Sequence, residues 1–110
     1  MDQIVNNLIT ELKRGTLILF VLNALKDSQY GYSLLAQLES QNIPIEAGTL
    51  YPLLRRLEEQ GLLDSTWDTT ETRPRKYYKI NAVGTEVLER LKQEWLFIKQ
   101  QMNILFEENK

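Results

Sequence analysis

Apolar residues in the first quarter of the chain recur with the period of a helix. One stripe begins near the N-terminus and comprises Ile4, Val5, Leu8, Ile9 and Leu12. Almost every position of residues 17–25 is also apolar, which is typical of a helix that is buried on all sides. The pattern predicts either one long helix over residues 3–26 or two nearly continuous helices with a weak point at Gly15.

Two further helices are predicted in the middle of the chain, separated by a short turn. The first covers residues 31–41 and is expected to end before Pro44, because proline disfavours helical geometry in the residue that precedes it. The second covers residues 46–60, and Gly61 follows it where a left-handed cap is expected. The inner face of this second helix is predicted to carry Ala47, Leu50, Leu53, Leu54 and Leu57, and the outer face Gly48, Pro52, Arg55, Arg56 and Glu59. Because Pro52 lies several residues inside the helix, we expect a kink or a late helix start.

The pattern becomes extended after Gly61. Residues 62–67 and 76–80 are rich in aromatic and aliphatic side chains and flank the polar stretch DTTETRPR, as two antiparallel strands and their loop would. Asn81 is a good N-cap and opens a final helix over residues 82–107. Apolar residues of this helix are spaced 3, 4, 3, 4 and 3 apart, which is a heptad seam formed by Leu88, Leu91, Trp95, Ile98, Met102 and Leu105.

The order of these elements is typical of one fold. Two helices joined by a short turn and followed by a β-hairpin make a winged helix-turn-helix, so the predicted fold class is mainly α with a small β-hairpin. We expect residues 1–81 to form the DNA-binding domain, including the N-terminal helix, and residues 82–110 to form a C-terminal dimerisation helix within one compact unit. The predicted dimer interface comprises Leu8, Leu12 and the six residues of the heptad seam.

Composition limits the chemistry that this chain can perform. The 110 residues contain no cysteine and no histidine, which removes thiolate chemistry, the commonest general base and the commonest metal ligand. We therefore expect no enzyme activity, no catalytic residue, no metal site and no cofactor. The longest apolar run, residues 17–25, is too short to span a membrane, and the N-terminus does not resemble a signal peptide, so a cytoplasmic location without membrane contact is expected.

The stretch TRPRKYYKI, residues 72–80, carries four basic side chains in a chain whose formal net charge is -2. Taken alone, it is typical of a solvated edge strand. After a helix-turn-helix, the same stretch is typical of a wing whose cations contact DNA phosphates or a narrow minor groove. Strand alternation places Lys76 and Tyr78 on one face and Tyr77 and Lys79 on the other, so at least one tyrosine is expected to pack inward.

The outer face of the predicted recognition helix leaves alternatives open. Arg55 and Arg56 can contact phosphates or guanine edges, or one of them can pair with Glu58 or Glu59 on a solvated face. Arg55 lies nearer the centre of that face and is the favoured contact. Tyr51 lies at the border, where its hydroxyl can reach a phosphate or its ring can cover the helix-helix junction.

Three runs resemble the PadR family of transcriptional regulators: YGYSLLAQLE (30–39), EAGTLYPLLRRLEEQGLL (46–63) and RPRKYYKINAVG (73–84). The resemblance implies a winged-helix homodimer, joined through its first and last helices, that represses promoters by binding an inverted repeat. Matched by motif, the implied DNA-binding residues are Tyr32, Thr49, Tyr51, Arg55 and Arg56 in the helices and Arg73, Arg75 and Lys76 in the wing. The single C-terminal helix resembles the small subfamily. Many family wings carry glycines before the basic pair, whereas Pro74 is expected to stiffen this one.

Trp95 and Trp67 complete the set of candidate residues. Trp95 can frame a cavity for a flat aromatic or drug-like effector, as in relatives of this family, or can simply be core at a dimer interface. Trp67 is expected to pack within the hairpin. The predicted function is a sequence-specific repressor whose partners are double-stranded DNA, a second copy of the chain and a small apolar or aromatic effector. The alternative is a winged helix that binds another protein.

Overall fold

A computed structural model of the protein describes residues 1–43 and 45–108. Pro44, predicted to end the second helix, and residues 109–110, the last of the predicted C-terminal unit, lie outside the described residues. The elements of the described chain are α1 (Asp2–Arg14), α2 (Leu17–Ala24), β1 (Gln29–Tyr30), α3 (Gly31–Ser40), α4 (Ala47–Glu59), β2 (Leu63–Asp68), β3 (Arg75–Ile80) and α5 (Ala82–Glu108). None of the helices in these ranges combines the length and apolar character that crossing a membrane requires.

The first apolar segment forms two helices, the second of the two alternatives. The break falls at Gly15 and Thr16, where the Thr16 hydroxyl donates a 2.6 Å hydrogen bond to the carbonyl oxygen of Lys13. The same carbonyl also accepts a 3.0 Å hydrogen bond from the backbone N–H of Thr16, so both groups of Thr16 close the end of α1. Val21 and Leu22 of α2 are fully buried, whereas α1 has no buried residue. The apolar stripe of α1 is therefore left uncovered by its own chain.

Helices α3 and α4 form the predicted helix-turn-helix, and both end in left-handed caps. Gly61 has a φ of 80° and Asn42 a φ of 61°, which are conformations that glycine and asparagine tolerate best. The caps close with hydrogen bonds from Ile43 N–H to the Leu38 carbonyl at 2.9 Å and from Leu62 N–H to the Leu57 carbonyl at 3.0 Å. These caps fix where the chain leaves each helix.

The start of α4 and the exposure of its first residue differ from the predictions made for this helix. The helix begins at Ala47, well before Pro52, so its start is not delayed by the proline. Ala47 was predicted to face inward, and this was wrong because the first helical residue lies at the open end of the helix, where it is exposed. Leu50, Leu53, Leu54 and Leu57 are buried as predicted.

The described residues contain a three-stranded antiparallel sheet of order β1-β3-β2, not the two strands that were predicted. The additional strand, β1, pairs Gln29 with Tyr78 and Tyr30 with Tyr77. A strand of two residues is too short to show a period of its own in the sequence. It places Tyr30 beside the wing.

The core lies between α2, α3, α4, the sheet and the start of α5. Asn81 caps α5 as predicted, because its side-chain oxygen accepts a 2.8 Å hydrogen bond from Gly84 N–H. Gly84 must remain small, since a Cβ there would overlap the carbonyl of Leu62. Tyr78 faces inward with 6% of its surface exposed, whereas Trp67 is 64% exposed, so the predicted hairpin packing of Trp67 was wrong. With α3, α4 and the β2–β3 hairpin in place, the predicted winged helix-turn-helix is confirmed.

Candidate nucleic-acid interface

The outer face of α4 is exposed to solvent. Thr49, Tyr51, Arg55 and Arg56 are exposed on it, while the four leucines of the opposite face hold the helix against the core. The predicted alternative, an ion pair of Arg55 or Arg56 with Glu58 or Glu59, is not found among the described residues. Both guanidinium groups are therefore available to a partner outside the chain.

Tyr51 covers the junction of the two helices. Its ring lies against Gly31 at the start of α3, so close that a Cβ on Gly31 would lie 2.9 Å from the tyrosine oxygen. The side chain still exposes 39% of its surface. Tyr32, the next residue of α3, is 67% exposed. The ring of Tyr51 thus has a packing role, and its exposed edge and Tyr32 lie at the border of the open face.

The wing consists of β2, β3 and the intervening residues 69–74. Asp68 starts the turn by accepting hydrogen bonds from the backbone N–H of Thr70 at 3.0 Å and from its hydroxyl at 2.7 Å. The backbone N–H of Thr70 is the main reason why the pKa of Asp68 is lowered from its usual value. Arg73, at the far end of the turn, is exposed and has no ion-pair partner among the described residues.

Arg75 is held on an aromatic surface. Its guanidinium carbon lies 4.7 Å from the centre of the Tyr30 ring, and the Tyr30 and Tyr77 rings meet edge to face at 5.5 Å. The guanidinium also lies 3.4 Å from a carboxylate oxygen of Glu71, which raises the pKa of Arg75. Both partners of this ion pair are substantially exposed, so solvent screens it strongly. Arg75 is oriented but still open to an anion.

Lys76 faces the other side of the same strand. Its ammonium group donates a 2.9 Å hydrogen bond to Oε1 of Glu58 on α4, and it lies 5.2 Å from the centre of the Tyr78 ring. The hydroxyl of Ser65 on β2 donates to Oε2 of the same carboxylate. The hydrogen bond from Ser65 and then that from Lys76 lower the pKa of Glu58, and the hydrogen bond to Glu58 raises the pKa of Lys76. Lys76 therefore already has an anionic partner.

The predicted dimer residues fall into two groups. Leu88 is 4% exposed and belongs to the core of its own chain, and Leu91 packs partly against that core. The others are exposed by between 41% and 77%: Leu8, Leu12, Trp95, Ile98, Met102 and Leu105. The Trp95 ring has the ammonium group of Lys99 at 5.8 Å from its centre. On α5, the part of the heptad seam that is open to another chain thus begins beyond Leu91.

Three residues of this region were not singled out from the sequence. Glu58 was considered only as a partner for arginine, and neither Ser65 nor Tyr30 was considered at all. A signal for Glu58 did exist, because strand alternation put Lys76 on the face of Tyr78. If Tyr78 is core, Lys76 must point towards the helices. No comparable pattern marked Tyr30, whose role depends on the short strand β1.

The chain is similar along most of its length to proteins of one kind. The family model described as "Transcriptional regulator PadR-like family" matches residues 19–90. The crystal structure of a PadR family transcriptional regulator from Eggerthella lenta DSM 2243 superposes on this chain with a TM-score of 0.93. The two sequences are 46% identical, and the match covers 96% of this chain and 95% of that protein. The structure of a PadR-like transcriptional regulator from Bacillus cereus is 30% identical over 87% of this chain and 96% of its own, with a TM-score of 0.76. The transcriptional regulator Rv3488 of Mycobacterium tuberculosis is 33% identical over 79 residues, 71% of this chain and 74% of that protein.

Proposed function

Because the chain belongs to the PadR-like family of transcriptional regulators, it is a DNA-binding regulator and not an enzyme, and we propose that it is a homodimeric repressor. Each subunit places α4 in one major groove. The two-fold axis of the dimer then requires two half-sites, arranged as an inverted repeat and separated by one helical turn or a multiple of it.

The observation that carries the proposal is the open face of α4. Arg55 and Arg56 project from it with no ion-pair partner in residues 1–43 and 45–108, and a guanidinium is well suited to bidentate contact with guanine or to a phosphate. Thr49 is exposed in the first turn of the same helix, and the positive end of the helix dipole there favours a phosphate. Tyr32 and Tyr51 border this face and supply hydroxyl donors.

The wing extends the contact beyond the major groove. Arg73 is exposed at the tip, and Arg75 presents a guanidinium that Tyr30 already orients. In the proposal both arginines contact phosphates or the adjacent minor groove, which adds affinity without reading much sequence. Lys76 is left out of this set, because its ammonium group is paired with Glu58.

The dimer is proposed to form through the terminal helices. The apolar stripe of α1 is exposed along its full length, and the second half of α5 exposes Trp95, Ile98 and Met102. A small domain in water does not leave two such stripes open without cost, and each can cover the other across a two-fold axis. In this arrangement α1 of one subunit packs against α5 of its partner.

An effector is proposed to act at Trp95. The side chain is 41% exposed, and the open part of an indole can stack on a flat aromatic ligand. A ligand held between the two copies of Trp95 would change the separation of the two copies of α4 and so release the operator. Quenching of Trp95 emission in a Trp67→Phe variant tests for such a ligand.

The proposal is tested by a gel shift with the DNA upstream of the chain's own gene, titrated with salt. A saturable band that survives excess nonspecific competitor, and whose affinity falls as salt rises, is expected of the repressor. A winged helix that binds another protein, which the acidic balance of the chain would favour, gives no such band. That result would replace the proposed function by the alternative.

A further inference from the structure

We propose that Glu58 is a positioning residue for DNA binding: its single carboxylate ties both wing strands to the recognition helix α4 and keeps the charge of Lys76 away from the DNA. The inference rests on the proposed function in one respect, because it assumes that α4 and the wing bind the same DNA. It makes Glu58, which touches no DNA itself, a determinant of how tightly and how selectively the chain binds.

The geometry gives the carboxylate two separate partners. Oε1 accepts from Lys76 on β3 at 2.9 Å, and Oε2 accepts from the hydroxyl of Ser65 on β2. Ser65 pairs in register with Tyr78, whereas Lys76 pairs with Trp67, so the two contacts lie at successive rungs of one face of the hairpin. One side chain of α4 therefore contacts both strands of the wing, and a rotation of the wing relative to α4 breaks at least one of these bonds.

The position of Glu58 along the hairpin matters as much as its bonds. The base of the hairpin is fixed by the backbone, through Ile80 N–H to the Leu25 carbonyl at 2.8 Å and Asn81 N–H to the Leu62 carbonyl at 3.2 Å. Further out, Trp67 shares the face of Ser65 but is 64% exposed, so none of the described helices covers its side chain closely. The two bonds of Glu58 lie between these regions. They set the angle at which residues 69–74, including Arg73, project towards a DNA backbone.

The same contact decides what Lys76 can do. The side chains of Lys76 and Glu58 are 28% and 30% exposed, so their ion pair is screened less than one in open solvent. A phosphate that took the ammonium group would leave the Glu58 carboxylate without its cation and close to a second anion. The pair is therefore more stable if it is kept on DNA. Lys76 then displaces no counterion from the DNA phosphates and does not contribute to the salt dependence of binding.

The experiment compares matched variants in equilibrium titrations of specific and nonspecific DNA at several salt concentrations. Glu58→Ala and Lys76→Met each remove one partner, and the double variant removes both. Glu59→Ala is the control for the carboxylate, because it removes the same charge from the adjacent, exposed position. Arg73→Ala is the reference for loss of a phosphate contact. Three results are expected, one for each part of the inference.

The salt slope is the magnitude of the slope of log affinity against log salt concentration. First, Lys76→Met keeps the wild-type salt slope, whereas Arg73→Ala lowers it by about 0.9, the value of one phosphate contact. Second, Glu58→Ala raises the slope by a similar amount, because the freed ammonium group can now reach a phosphate, and Glu59→Ala does not. Third, the ratio of specific to nonspecific affinity falls about fivefold in each of Glu58→Ala and Lys76→Met and no further in the double variant, since the two residues act as one unit.

A measurement without DNA separates this inference from the proposed function. In a Trp95→Phe background, Trp67 is the only tryptophan, and it lies opposite Lys76 in the hairpin. Glu58→Ala is expected to lower the fluorescence anisotropy of Trp67 by loosening the wing, and Glu59→Ala to leave it unchanged. If the chain binds no specific DNA but this difference is found, the proposed function fails and the link between wing and helix stands.

Two results would overturn the inference. A lower salt slope in Lys76→Met, equal to that of Arg73→Ala, would make Lys76 a phosphate contact. Identical behaviour of Glu58→Ala and Glu59→Ala, in both DNA selectivity and Trp67 anisotropy, would show that Glu58 does not position the wing.

Discussion

The ring of Tyr51 in α4 occupies the space that a side chain on Gly31 in α3 would need. Gly31 is buried, and its replacement by any other residue would force the ring to move. The two helices of the helix-turn-helix therefore meet through a glycine and a tyrosine. Since α4 is the proposed recognition helix, this contact helps to set its angle relative to the rest of the domain.

Gly31→Ala is expected to destabilise the fold by about 1–3 kcal/mol, the usual cost of adding a methyl group to a packed site. Urea unfolding measures this change. Gly15→Ala is the control, because a Cβ at Gly15 meets no atom of the described residues within 4 Å and its backbone is helical with φ of -65°. Equal stability of the two variants would show that the Tyr51 ring yields without cost.

Arg73→Ala and Arg75→Ala are expected to weaken binding by nearly the same factor on all DNA sequences, since phosphate contacts carry little sequence information. Each should also lower the slope of log affinity against log salt by about 0.9. Titrations on specific and nonspecific duplexes check both effects. An unchanged slope in both variants would contradict the proposed role of the wing.

Charges on the apolar stripe of α1 are expected to abolish the dimer. Leu8 and Leu12 are 59% and 77% exposed in the single chain, and Leu8→Glu with Leu12→Glu would bury two carboxylates in the proposed interface. Sedimentation equilibrium should give a monomer that keeps its helical content and loses specific DNA binding.

The control for that variant carries the same two charges on the other side of α1. Gln3→Glu with Asn7→Glu has the same spacing of four residues, and both positions are exposed. This control is expected to remain a dimer. A monomer in both cases, or a dimer in both, would contradict an interface on the Leu8 and Leu12 face.

Local patterns predicted most of the fold. The helices of the helix-turn-helix, the cap at Gly61, the N-cap at Asn81 and the hairpin all leave periodic or capping signals that depend only on neighbouring residues. The strand β1 leaves none, because its two residues become a strand only by pairing with Tyr77 and Tyr78. The sequence therefore predicted a two-stranded hairpin, whereas the described residues form a three-stranded sheet.

The candidate site was predicted less completely, because side-chain partners depend on tertiary contacts. Alternation correctly separated Lys76 from Tyr77, but it could not show that Glu58 lies within reach of Lys76. The heptad seam likewise predicts which residues are apolar and not which chain covers them. Leu88 illustrates this, since it belongs to the seam and is buried within its own subunit.

Acid is expected to remove the stabilisation supplied by the Glu58–Lys76 pair. In the folded chain, the pKa of Glu58 lies below 4.5, its ordinary value. The contribution of Glu58 to the free energy of unfolding is therefore present above pH 4.5 and is lost as the pH falls through the lowered pKa. At neutral pH, Glu58→Gln should cost up to about 1 kcal/mol of stability, because both side chains are partly exposed.

Urea unfolding of wild type and Glu58→Gln at several pH values checks this prediction. The difference in the free energy of unfolding should shrink below pH 4.5 and stay constant from there to neutral pH. The pKa of Lys76 is raised from 10.5, so its contribution should be lost only above that pH. A difference that does not vary with pH would assign the effect of the substitution to shape rather than charge.

In the proposed function, a two-fold symmetric dimer reads DNA with two copies of α4. Footprinting of the DNA upstream of the chain's own gene tests it most directly. The expected result is two protected segments with inverted sequence symmetry, their centres one helical turn or a multiple apart, about 10–10.5 base pairs per turn. A single protected segment without symmetry, or no protection at protein concentrations where the dimer is formed, would contradict the claim.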